Sequence, residues 1–499
     1  MGVKSRIIGF FAGRVAADIR KWSKGAVADQ QNLMQMLVQK ASGTVFGINH
    51  ELKSVHSYED FKKAVPVRDY EDLKPYIEQI INGKEHVLWP GKPKYFAKTS
   101  GTTSGVKYIP ITSESLPNHI HSARNALLNY IAQSGRSDIF DGNVIFLSGS
   151  PELEMKGNIP TGRLSGIVNH EVPVWVKPNQ LPSYQTNCIE DWENKLDKIV
   201  NETIKRDMRL ISGIPPWVQM YYERLLEKSG KKTVKEVFPN YSLFMYGGVN
   251  FEPYRAKLEQ LVGQRMDSVE TYPASEGFIA FQDDLNDPGL LLNTRSGIFF
   301  EFIPSENAFE DNPERIQLED VELNKDYAVV INNNAGLWGY SIGDCVRFVS
   351  RNPYKILVTG RIKHYISAFG EHVIGKEVED ALLGVANKQN IRVVEFTVAP
   401  QVNPPEGGTP YHEWFVEFDQ IPENLEAFSR AVDDEMCRLN IYYNDLIDGK
   451  ILRHLVIRPL VKDSFRSYMK DQGKLGGQNK VPRLSNDRKI VDNMKGYLI

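Results

Sequence analysis

Between about residues 95 and 277, short apolar runs alternate with longer amphipathic stretches, and this alternation limits the fold more than any other property of the chain. Apolar runs such as Val144–Leu147 and Leu243–Tyr246 have the length of buried strands. The stretch Asp191–Thr203 and the residues after Pro215 have helical periodicity instead. Strands that alternate with helices are typical of parallel sheets covered by helices. The sequence therefore predicts an α/β fold with a substantially parallel sheet.

The regions on either side of this stretch have different patterns. The first 90 or so residues read as helices, with a capping box at Ser57-Tyr58-Glu59-Asp60. After residue 277, six strand-like runs separated by turn residues predict an antiparallel sheet or a small barrel attached to the α/β body. Beyond residue 361, helices and strands alternate again in an α+β pattern. We therefore expect a large domain over 1–361, whose first 90 residues are helical, and a smaller domain over 362–499.

Size, charge and cysteine usage narrow the class of protein. A chain of 499 residues is too long for one ordinary core, and a net charge of −3 offers no basic field for nucleic acid. Cys188, Cys345 and Cys437 are far apart and form no C-x-x-C pair, so we expect reduced thiols and a cytoplasmic protein. No apolar run reaches the ~18 residues of a membrane span. The basic amphipathic segment 1–22 predicts a helix docked on the main domain, with a weak membrane-surface role as the alternative.

The segment 98–107 is the most informative for chemistry. It contains Ser100, Gly101, Thr102 and Thr103, and it ends at Lys107. Hydroxyls, closely approaching backbone N–H groups and a lysine are the groups that bind a polyphosphate. The spacing is not that of a Walker loop, because a strand-like run follows instead of a helix. An ordinary solvated turn is the alternative interpretation.

A second motif closes a strand-like run at Tyr272-Pro273-Ala274-Ser275-Glu276. A tyrosine at this place can stack on a planar base. The carboxylate of Glu276 is an oxygen ligand of the kind that Mg²⁺ uses when it bridges phosphates. A proline-directed turn with no ligand is the alternative.

Two further candidates lie near the predicted domain boundary. Asp344 follows a glycine in Tyr340-Ser341-Ile342-Gly343-Asp344, and a carboxylate there can accept hydrogen bonds from both hydroxyls of a ribose. Arg361 follows another glycine and is in reach of a ribose or phosphate if the cleft is shared by both domains. Taken singly, each segment is also compatible with a hairpin turn or a solvated linker.

The order and spacing of these segments resemble the acyl-adenylate-forming superfamily. Within it, the chain most resembles the auxin-responsive (Gretchen Hagen) family of acyl acid–amido synthetases, over about residues 90–490. The matching motifs are the loop 99–107, Tyr272 to Glu276, Tyr340-x-x-Gly343-Asp344, and the tail motif Asn479-Lys480-Val481-Pro482-Arg483. The resemblance implies a large adenylate-forming domain and a smaller, mobile C-terminal domain that rotates about a hinge near Arg361.

The resemblance implies a two-step ligase. ATP with Mg²⁺ and a carboxylic acid would give an acyl adenylate and pyrophosphate, and the amine of an amino acid would then displace AMP to form an amide. Ser100, Gly101, Thr102, Thr103 and Lys107 would hold the phosphates. The adenine would stack on Tyr272 beside Pro273, Ala274 and Ser275, the ribose would bind Asp344 with Arg361 nearby, and Glu276 would hold Mg²⁺.

Two predictions concern the C-terminal domain. Lys480 follows a glycine-rich approach, Gly476-Gly477-Gln478-Asn479, and is expected to bring an ammonium group to the α-phosphate. A lysine in a flexible tail is the alternative. Where plant members carry a lysine just after the hinge, ungapped matching places His372, so a nucleotide contact there would become pH-dependent or be lost.

The acid is expected to bind among aromatic and apolar residues, which suit a planar or aliphatic body. The candidates for this acyl pocket are Trp217, Tyr221, Gly247, Gly248, Val249 and Arg124. Plain core packing is the alternative for the aromatic residues, and a solvated helix face is the alternative for Arg124.

Two other functions compete with amide synthesis. A coenzyme A ligase of the same superfamily would adenylate the acid and then transfer the acyl group to a thiol. An inactive nucleotide- or acyl-binding relative is the other alternative, motivated by His372. The sequence carries no signal for the identity of the acid, the acceptor amine or the oligomeric state.

Overall fold

The protein folds as an α/β structure with two compact units. The computed structural model describes residues 3–100, 106–172, 177–189, 191–248, 251–308, 310, 312–361, 365–366, 369, 373–402, 404–450, 452–473, 481–485 and 487–499. The large unit comprises Met1–Ile342 and Val346–Val358, and the small unit comprises Gly343–Cys345 and Thr359–Ile499.

The N-terminal region is helical, as predicted. Its helices are α1 (Val3–Trp22), α2 (Ala26–Ala41), α3 (Val45–Asn49), α4 (Tyr58–Ala64) and α5 (Tyr70–Ile81). The predicted capping box begins α4: Ser57 Oγ accepts a hydrogen bond from Asp60 N at 3.1 Å, and the Asp60 carboxylate accepts one from Ser57 N at 3.0 Å. These bonds satisfy N–H groups that the first turn of a helix leaves unpaired.

The rest of the large unit alternates strands and helices and then becomes all strand. Its next elements are β1 (Tyr95–Ser100), β2 (Val106–Ile111), α6 (Leu116–Ser134), β3 (Asn143–Phe146), β4 (Glu154–Lys156), β5 (Ile159–Gly162), α7 (Leu164–His170), β6 (Gln180–Leu181), α8 (Tyr184–Asn187), α9 (Trp192–Thr203), β7 (Met208–Ser212), α10 (Pro215–Ser229), α11 (Val234–Val237), β8 (Leu243–Gly247), α12 (Glu252–Val262) and β9 (Asp267–Ala274). The strands that follow are β10 (Gly277–Gln282), β11 (Leu290–Leu292), β12 (Ile298–Pro304), β13 (Asp326–Asn333), β14 (Tyr340–Arg351) and β15 (Tyr354–Arg361).

One 11-stranded sheet forms the centre, in the order β12-β13-β14-β15-β11-β10-β9-β8-β7-β3-β6. The strands β6, β3, β7, β8 and β9 pair in parallel, which confirms the predicted parallel sheet. The later strands pair antiparallel where β10 meets β11, β11 meets β15 and β12 meets β13, in agreement with the predicted antiparallel sheet attached to the α/β body. Because Ala274 pairs with Gly277 in a tight hairpin, β10 returns antiparallel beside β9 and the later strands extend the same sheet.

The parallel part of this sheet changes direction at β3. The chain passes from β3 to β6 on one side, and then crosses to β7 on the other side of β3. Ligands of open α/β sheets bind outside the carboxyl ends of the strands at such a switch point. The residues that follow β3 and β7 therefore lie where such a fold binds its ligands.

Helix α1 docks on the large unit, as predicted. Ala12, Ile19 and Trp22 are buried in one cluster with Ala126 and Tyr130 of α6. The opposite side of α1 leaves apolar side chains more than half exposed: Ile7, Phe10 and Phe11. Across the described ranges, no helix has both the length and the apolar character of a bilayer-crossing helix.

The small unit has its own core. Its elements are β16 (Tyr365–Ile366), β17 (Val373–Ile374), α13 (Gly375–Lys388), β18 (Val393–Gln401), β19 (Tyr411–Phe418), α14 (Leu425–Leu439), α15 (Ile441–Asp448), β20 (Val456–Leu460), α16 (Ser464–Asp471) and α17 (Lys489–Asn493). The strands β18, β19 and β20 form a sheet in that order. Its Phe396 and Trp414 are buried in one cluster with Leu382 of α13 and Val432 of α14.

Candidate active site

The predicted phosphate loop joins two antiparallel strands. Ser100 pairs with Val106 at the loop end of the β1–β2 hairpin, and Thr99 pairs with Lys107. Lys107 Nζ lies 5.6 Å from the centre of the Tyr70 ring. Gly101, Thr102 and Thr103 lie outside the described residues, as does the side chain of Ser100. A strand follows the loop, as the sequence predicted, so the loop differs from a Walker loop in its structural setting.

Glu276 lies in a constrained turn at the carboxyl end of β9. Its backbone carbonyl accepts a hydrogen bond from Asn333 Nδ2 at 2.7 Å. The next residue, Gly277, packs closely, because a Cβ there would lie 2.4 Å from Ile298 Cδ1 and that methyl group would have to shift. The hydrogen bond from Asn333 ties the backbone of the half-buried Glu276. Three predicted neighbours, Pro273, Ala274 and Ser275, belong to the same hairpin, and Tyr272 is buried at its base.

Asp344 and Arg361 belong to neighbouring strands and to the small unit. Only the residues 352–353 separate β14 from β15, so the chain turns back on itself. Asp344 and Arg361 are equally far from this turn along the chain. This spacing favours positions opposite each other on the two strands. Gly343 before Asp344 has a φ of 78°, a left-handed conformation that glycine adopts without strain. The side chain of Arg361, together with His372 and Lys480, lies outside the described residues.

Small residues follow the carboxyl ends of the parallel strands. Ser148-Gly149 comes soon after β3, Gly213 directly after β7, and Gly247-Gly248 closes β8. Glycine and serine leave backbone groups accessible to a ligand where larger side chains would cover them. Together with the turn at Glu276, these segments form one edge of the sheet that suits a polar substrate.

Comparison with known proteins decides the family. The model of the GH3 family N-terminal domain matches residues 15–168 and 152–266, that of the GH3 family central domain matches 291–361, and that of the GH3 family C-terminal domain matches 376–489. The chain belongs to the GH3 family. The resemblance stated from the motifs is thereby confirmed, and it extends over almost the whole chain.

Full-length relatives and solved structures agree with this assignment. The jasmonoyl–L-amino acid synthetase GH3.5 of Oryza sativa subsp. japonica is 22% identical over 550 residues, covering 93% of both chains. The indole-3-acetic acid-amido synthetase GH3.3 of Arabidopsis thaliana is 23% identical over 548 residues, covering 94% of this chain and 91% of the relative. The structure of the AtGH3.15 acyl acid amido synthetase in complex with 2,4-DB matches with a TM-score of 0.80 at 16% identity, covering 97% and 96% of the two chains. A 2-hydroxyisobutyryl-CoA ligase in the postadenylation state matches with a TM-score of 0.61 at 14% identity, covering 94% and 91%. The fold of this GH3 protein is thus that of adenylate-forming enzymes, as predicted.

The predicted acyl-pocket residues do not all come together in the GH3 fold. Trp217 and Tyr221 are buried against α9, where the Trp217 ring lies 5.0 Å from that of Trp192 and Tyr221 Oη lies 2.7 Å from Thr203 Oγ1. Arg124 is exposed on α6 and hydrogen-bonds the adjacent Asn125 side chain. Core packing therefore accounts for both aromatic residues. Gly247 and Gly248 stay at the sheet edge, and Val249 lies outside the described residues.

A half-buried carboxyl group near this edge, that of Glu270, was missed by sequence reasoning. Glu270 precedes Tyr272 by two residues on β9, and Tyr246 Oη donates a hydrogen bond to Glu270 Oε2 at 3.3 Å. Burial raises the pKa of Glu270 to about 7. A glutamate that alternates with a tyrosine in a strand gives no sequence signal of burial, because the pattern also fits an exposed strand face.

His119 of α6 is a buried histidine in this GH3 chain, with a testable effect on stability. It is 5% exposed, Nδ1 has no hydrogen-bond partner among the described residues, and burial lowers its pKa to about 4. Because the pKa is depressed in the native state, the stabilisation is present above about pH 6.5 and is lost as the pH falls towards 4. When the pH falls from 7 to 5, the free energy of unfolding of the wild-type protein should decrease by about 2 kcal/mol more than that of a His119→Asn variant.

Urea unfolding of both proteins at the two pH values measures this difference. His56→Asn replaces an exposed histidine of the same unit and should follow the wild-type pH dependence. Equal losses for wild type and His119→Asn would contradict a neutral, buried His119.

Proposed function

We propose that this GH3 protein is an acyl acid–amido synthetase. It adenylates a carboxylic acid with ATP, releases pyrophosphate, and transfers the acyl group to the amine of an amino acid with release of AMP. The observation that carries this proposal is the match of all three GH3 domains along one chain, with full-length relatives named as amido synthetases. Two local features support it. The β1–β2 hairpin carries the proposed phosphate-binding loop, and the turn at Glu276 carries the proposed magnesium ligand.

The first half-reaction joins two anions, so its barrier depends on neutralising their charge. We propose that the loop Ser100–Thr103 and Lys107 bind the β- and γ-phosphates. Tyr272 would pack on the adenine beside 273–275, and Asp344 would accept the ribose hydroxyls with Arg361 nearby. Lys480 would approach the α-phosphate and balance the charge that develops when the acid attacks.

A magnesium ion is the cofactor that this chemistry implies. The Glu276 carboxylate fits it, because Mg²⁺ prefers oxygen ligands and the carboxylate is half-buried on a rigid turn. When bound, the ion supplies further positive charge to the phosphates. Glu276 itself holds that charge at a fixed place, since its backbone is tied to Asn333.

The two halves of the reaction require different surroundings for the acyl carbon. We propose that the C-terminal domain, 362–499, moves as a cap about a hinge near Arg361, so that one position serves adenylation and another admits the amine. His372 lies in this hinge region, where it would make a nucleotide contact that changes with pH.

We also propose that the reaction takes place in the cytoplasm. None of the three cysteines forms a disulfide bond; Cys345 is buried, and Cys188 and Cys437 are partly buried. Free thiols persist in a reducing compartment, whereas secreted proteins usually pair them.

A pyrophosphate-release screen tests the proposed function. Purified protein is incubated with ATP, Mg²⁺ and a panel of aromatic and aliphatic acids, together with either mixed amino acids or coenzyme A. We expect acid-dependent pyrophosphate release and an amide product with amino acids. A thioester without any amide would show a coenzyme A ligase instead, and no acid-dependent pyrophosphate with any acid would indicate a binding protein without turnover.

The Asp344→Ala variant tests the ribose contact. A carboxylate that accepts two hydroxyl hydrogen bonds contributes enough that its removal should weaken ATP binding about tenfold or more. Calorimetric titration with ATP and Mg²⁺ measures the Kd. Asp434→Ala removes an exposed carboxylate of the same unit and should bind as wild type does. An unchanged Kd for Asp344→Ala would refute the assignment.

A further inference from the structure

A buried lysine and a half-buried arginine lie beyond the carboxyl end of β3. Lys195 of α9 is 3% exposed, and its Nζ donates hydrogen bonds to the backbone carbonyls of Ser148 at 2.9 Å and Asn187 at 2.8 Å. The half-buried Arg163 precedes α7. Its Cδ lies 2.8 Å from the place that a Cβ on Gly149 would occupy. Both side chains therefore converge on the segment Ser148-Gly149.

The electrostatics of this pair require an explanation. Burial lowers the pKa of Lys195 to about 8, and the positive charge of Arg163 acts in the same direction. Burial also lowers the pKa of Arg163. Within the described ranges, neither side chain forms an ion pair with a carboxylate. Buried cations are normally retained only with an opposite charge beside them, so this pair is arranged to receive an anion.

Asn187, whose backbone carbonyl accepts the hydrogen bond from Lys195, also has a buried side chain without partners in the described part of the chain. Asn187 is 0% exposed, and neither Oδ1 nor Nδ2 of its side chain has a hydrogen-bond partner among the described residues. Ser165 Oγ, two residues after Arg163, is buried and unpaired in the same sense. Buried polar atoms without partners are rare in native structures, and a bound ligand is one of the usual reasons. An amide and a hydroxyl are suitable donors for a carboxylate already held by two cations.

The place of this cluster in the fold also points to a substrate. Ser148 and Gly149 come soon after β3, the strand at which the sheet changes direction, and open α/β sheets bind ligands at such a place. Gly213 ends the neighbouring strand β7 on the same edge. The cations are therefore part of the substrate edge of the sheet and not of a remote surface.

We propose that Arg163, Lys195 and Asn187 form a subsite that binds the α-carboxylate of the acceptor amino acid. The inference rests on the proposed function, since it assigns the residues that recognise its second substrate. Every amino acid carries this carboxylate whatever its side chain, and the group keeps its charge while the neighbouring amine attacks the acyl carbon. The acid that is adenylated loses its carboxylate charge in the first step and has no such lasting requirement. A fixed pair of cations would also orient the amine towards the adenylate.

The Arg163→Gln variant tests the subsite through the choice of acceptor. The acid that releases most pyrophosphate in the screen is used with three acceptors: an amino acid that gives amide, the same amino acid as its carboxamide, and hydroxylamine, which traps the adenylate without any carboxylate. We expect Arg163→Gln to raise the KM for the amino acid about tenfold or more. The preference for the amino acid over its carboxamide should fall by the same factor. Hydroxamate formation and acid-dependent ATP–pyrophosphate exchange should stay at the wild-type rate.

A second pair of variants guards against loss of folding. Lys195→Met removes the other cation, whereas Lys198→Met removes an exposed lysine of the same helix and should behave as wild type. If Lys195→Met does not fold, Arg163→Lys tests the subsite instead. Because it retains the positive charge, it should keep more of the preference for the carboxylate than Arg163→Gln does. Unchanged acceptor selectivity in Arg163→Gln would overturn the subsite alone. A raised KM for the acid instead would assign the cations to a second charge on that substrate. Wild-type protein that forms hydroxamate but no amide would refute both the proposed acceptor and the subsite.

Discussion

The Lys480→Ala variant is expected to form the acyl adenylate about 10²–10³ times more slowly than wild type, which is the effect of removing one preorganised positive or donor group from a charged transition state. Its affinity for ATP should change little, because in the proposed function the loop at Ser100 and Asp344 would hold the ground-state nucleotide. Lys480 itself lies outside the described residues, but residues shortly after it are hydrogen-bonded to β18. Arg483 O accepts a hydrogen bond from Val398 N at 2.9 Å, and Thr397 Oγ1 donates one to Pro482 O at 2.7 Å.

Single-turnover formation of adenylate and calorimetric titration with ATP separate the two quantities. Lys470→Ala removes an exposed lysine of α16 and serves as the matched control. An adenylation rate equal to that of wild type would exclude Lys480 as the group that acts on the α-phosphate. A parallel fall in rate and ATP affinity would assign it to ground-state binding instead.

The sequence predicts the elements of this fold better than the connections between them. Periodicity located helices such as α9 and strands such as β8 to within two residues, because burial of one face imposes a period that the side chains reveal. The capping box at Ser57 located the start of α4 for the same local reason. Whether β10 to β15 extend the central sheet or form a separate one depends on pairing between distant strands. Local patterns do not encode such pairing, so the sequence left open how these strands join the central sheet.

The candidate site shows the same division between local and distant information. Glu276 and Asp344 were found from short motifs, because glycines that permit tight turns stand beside them in the chain. Lys195 was missed, although a signal exists: it occupies the apolar stripe of α9 together with Leu196 and Ile199, where a lysine has no ordinary reason to be. Its partner Arg163 lies on another element, and no pattern within either element connects the two.

Charge also distinguishes the two ends of the proposed reaction. Adenylation requires positive charge around phosphates, which the loop at Ser100, Lys107 and Lys480 would supply. Acceptor binding requires positive charge around one carboxylate, which Arg163 and Lys195 would supply at β3. Salt screens buried charges much less than exposed ones. Acceptor binding should therefore be much less sensitive to salt than adenylation. In this proposal the carboxylate of Glu276 would serve neither purpose directly, because it would act by holding the magnesium ion.

The Glu276→Gln variant should therefore show the clearest dependence on Mg²⁺. Glutamine keeps the size of the side chain but removes its charge, so we expect Mg²⁺ to bind more weakly. The adenylation rate should be about 10²-fold lower at limiting Mg²⁺ and should recover partly at high Mg²⁺. Rates of acid-dependent pyrophosphate release, measured against Mg²⁺ concentration, test this. Glu85→Gln neutralises an exposed glutamate of the same unit and should retain the wild-type curve. A uniform fall in rate that no concentration of Mg²⁺ reverses would mean that Glu276 acts on the substrates themselves, and an unchanged rate would remove it from the site.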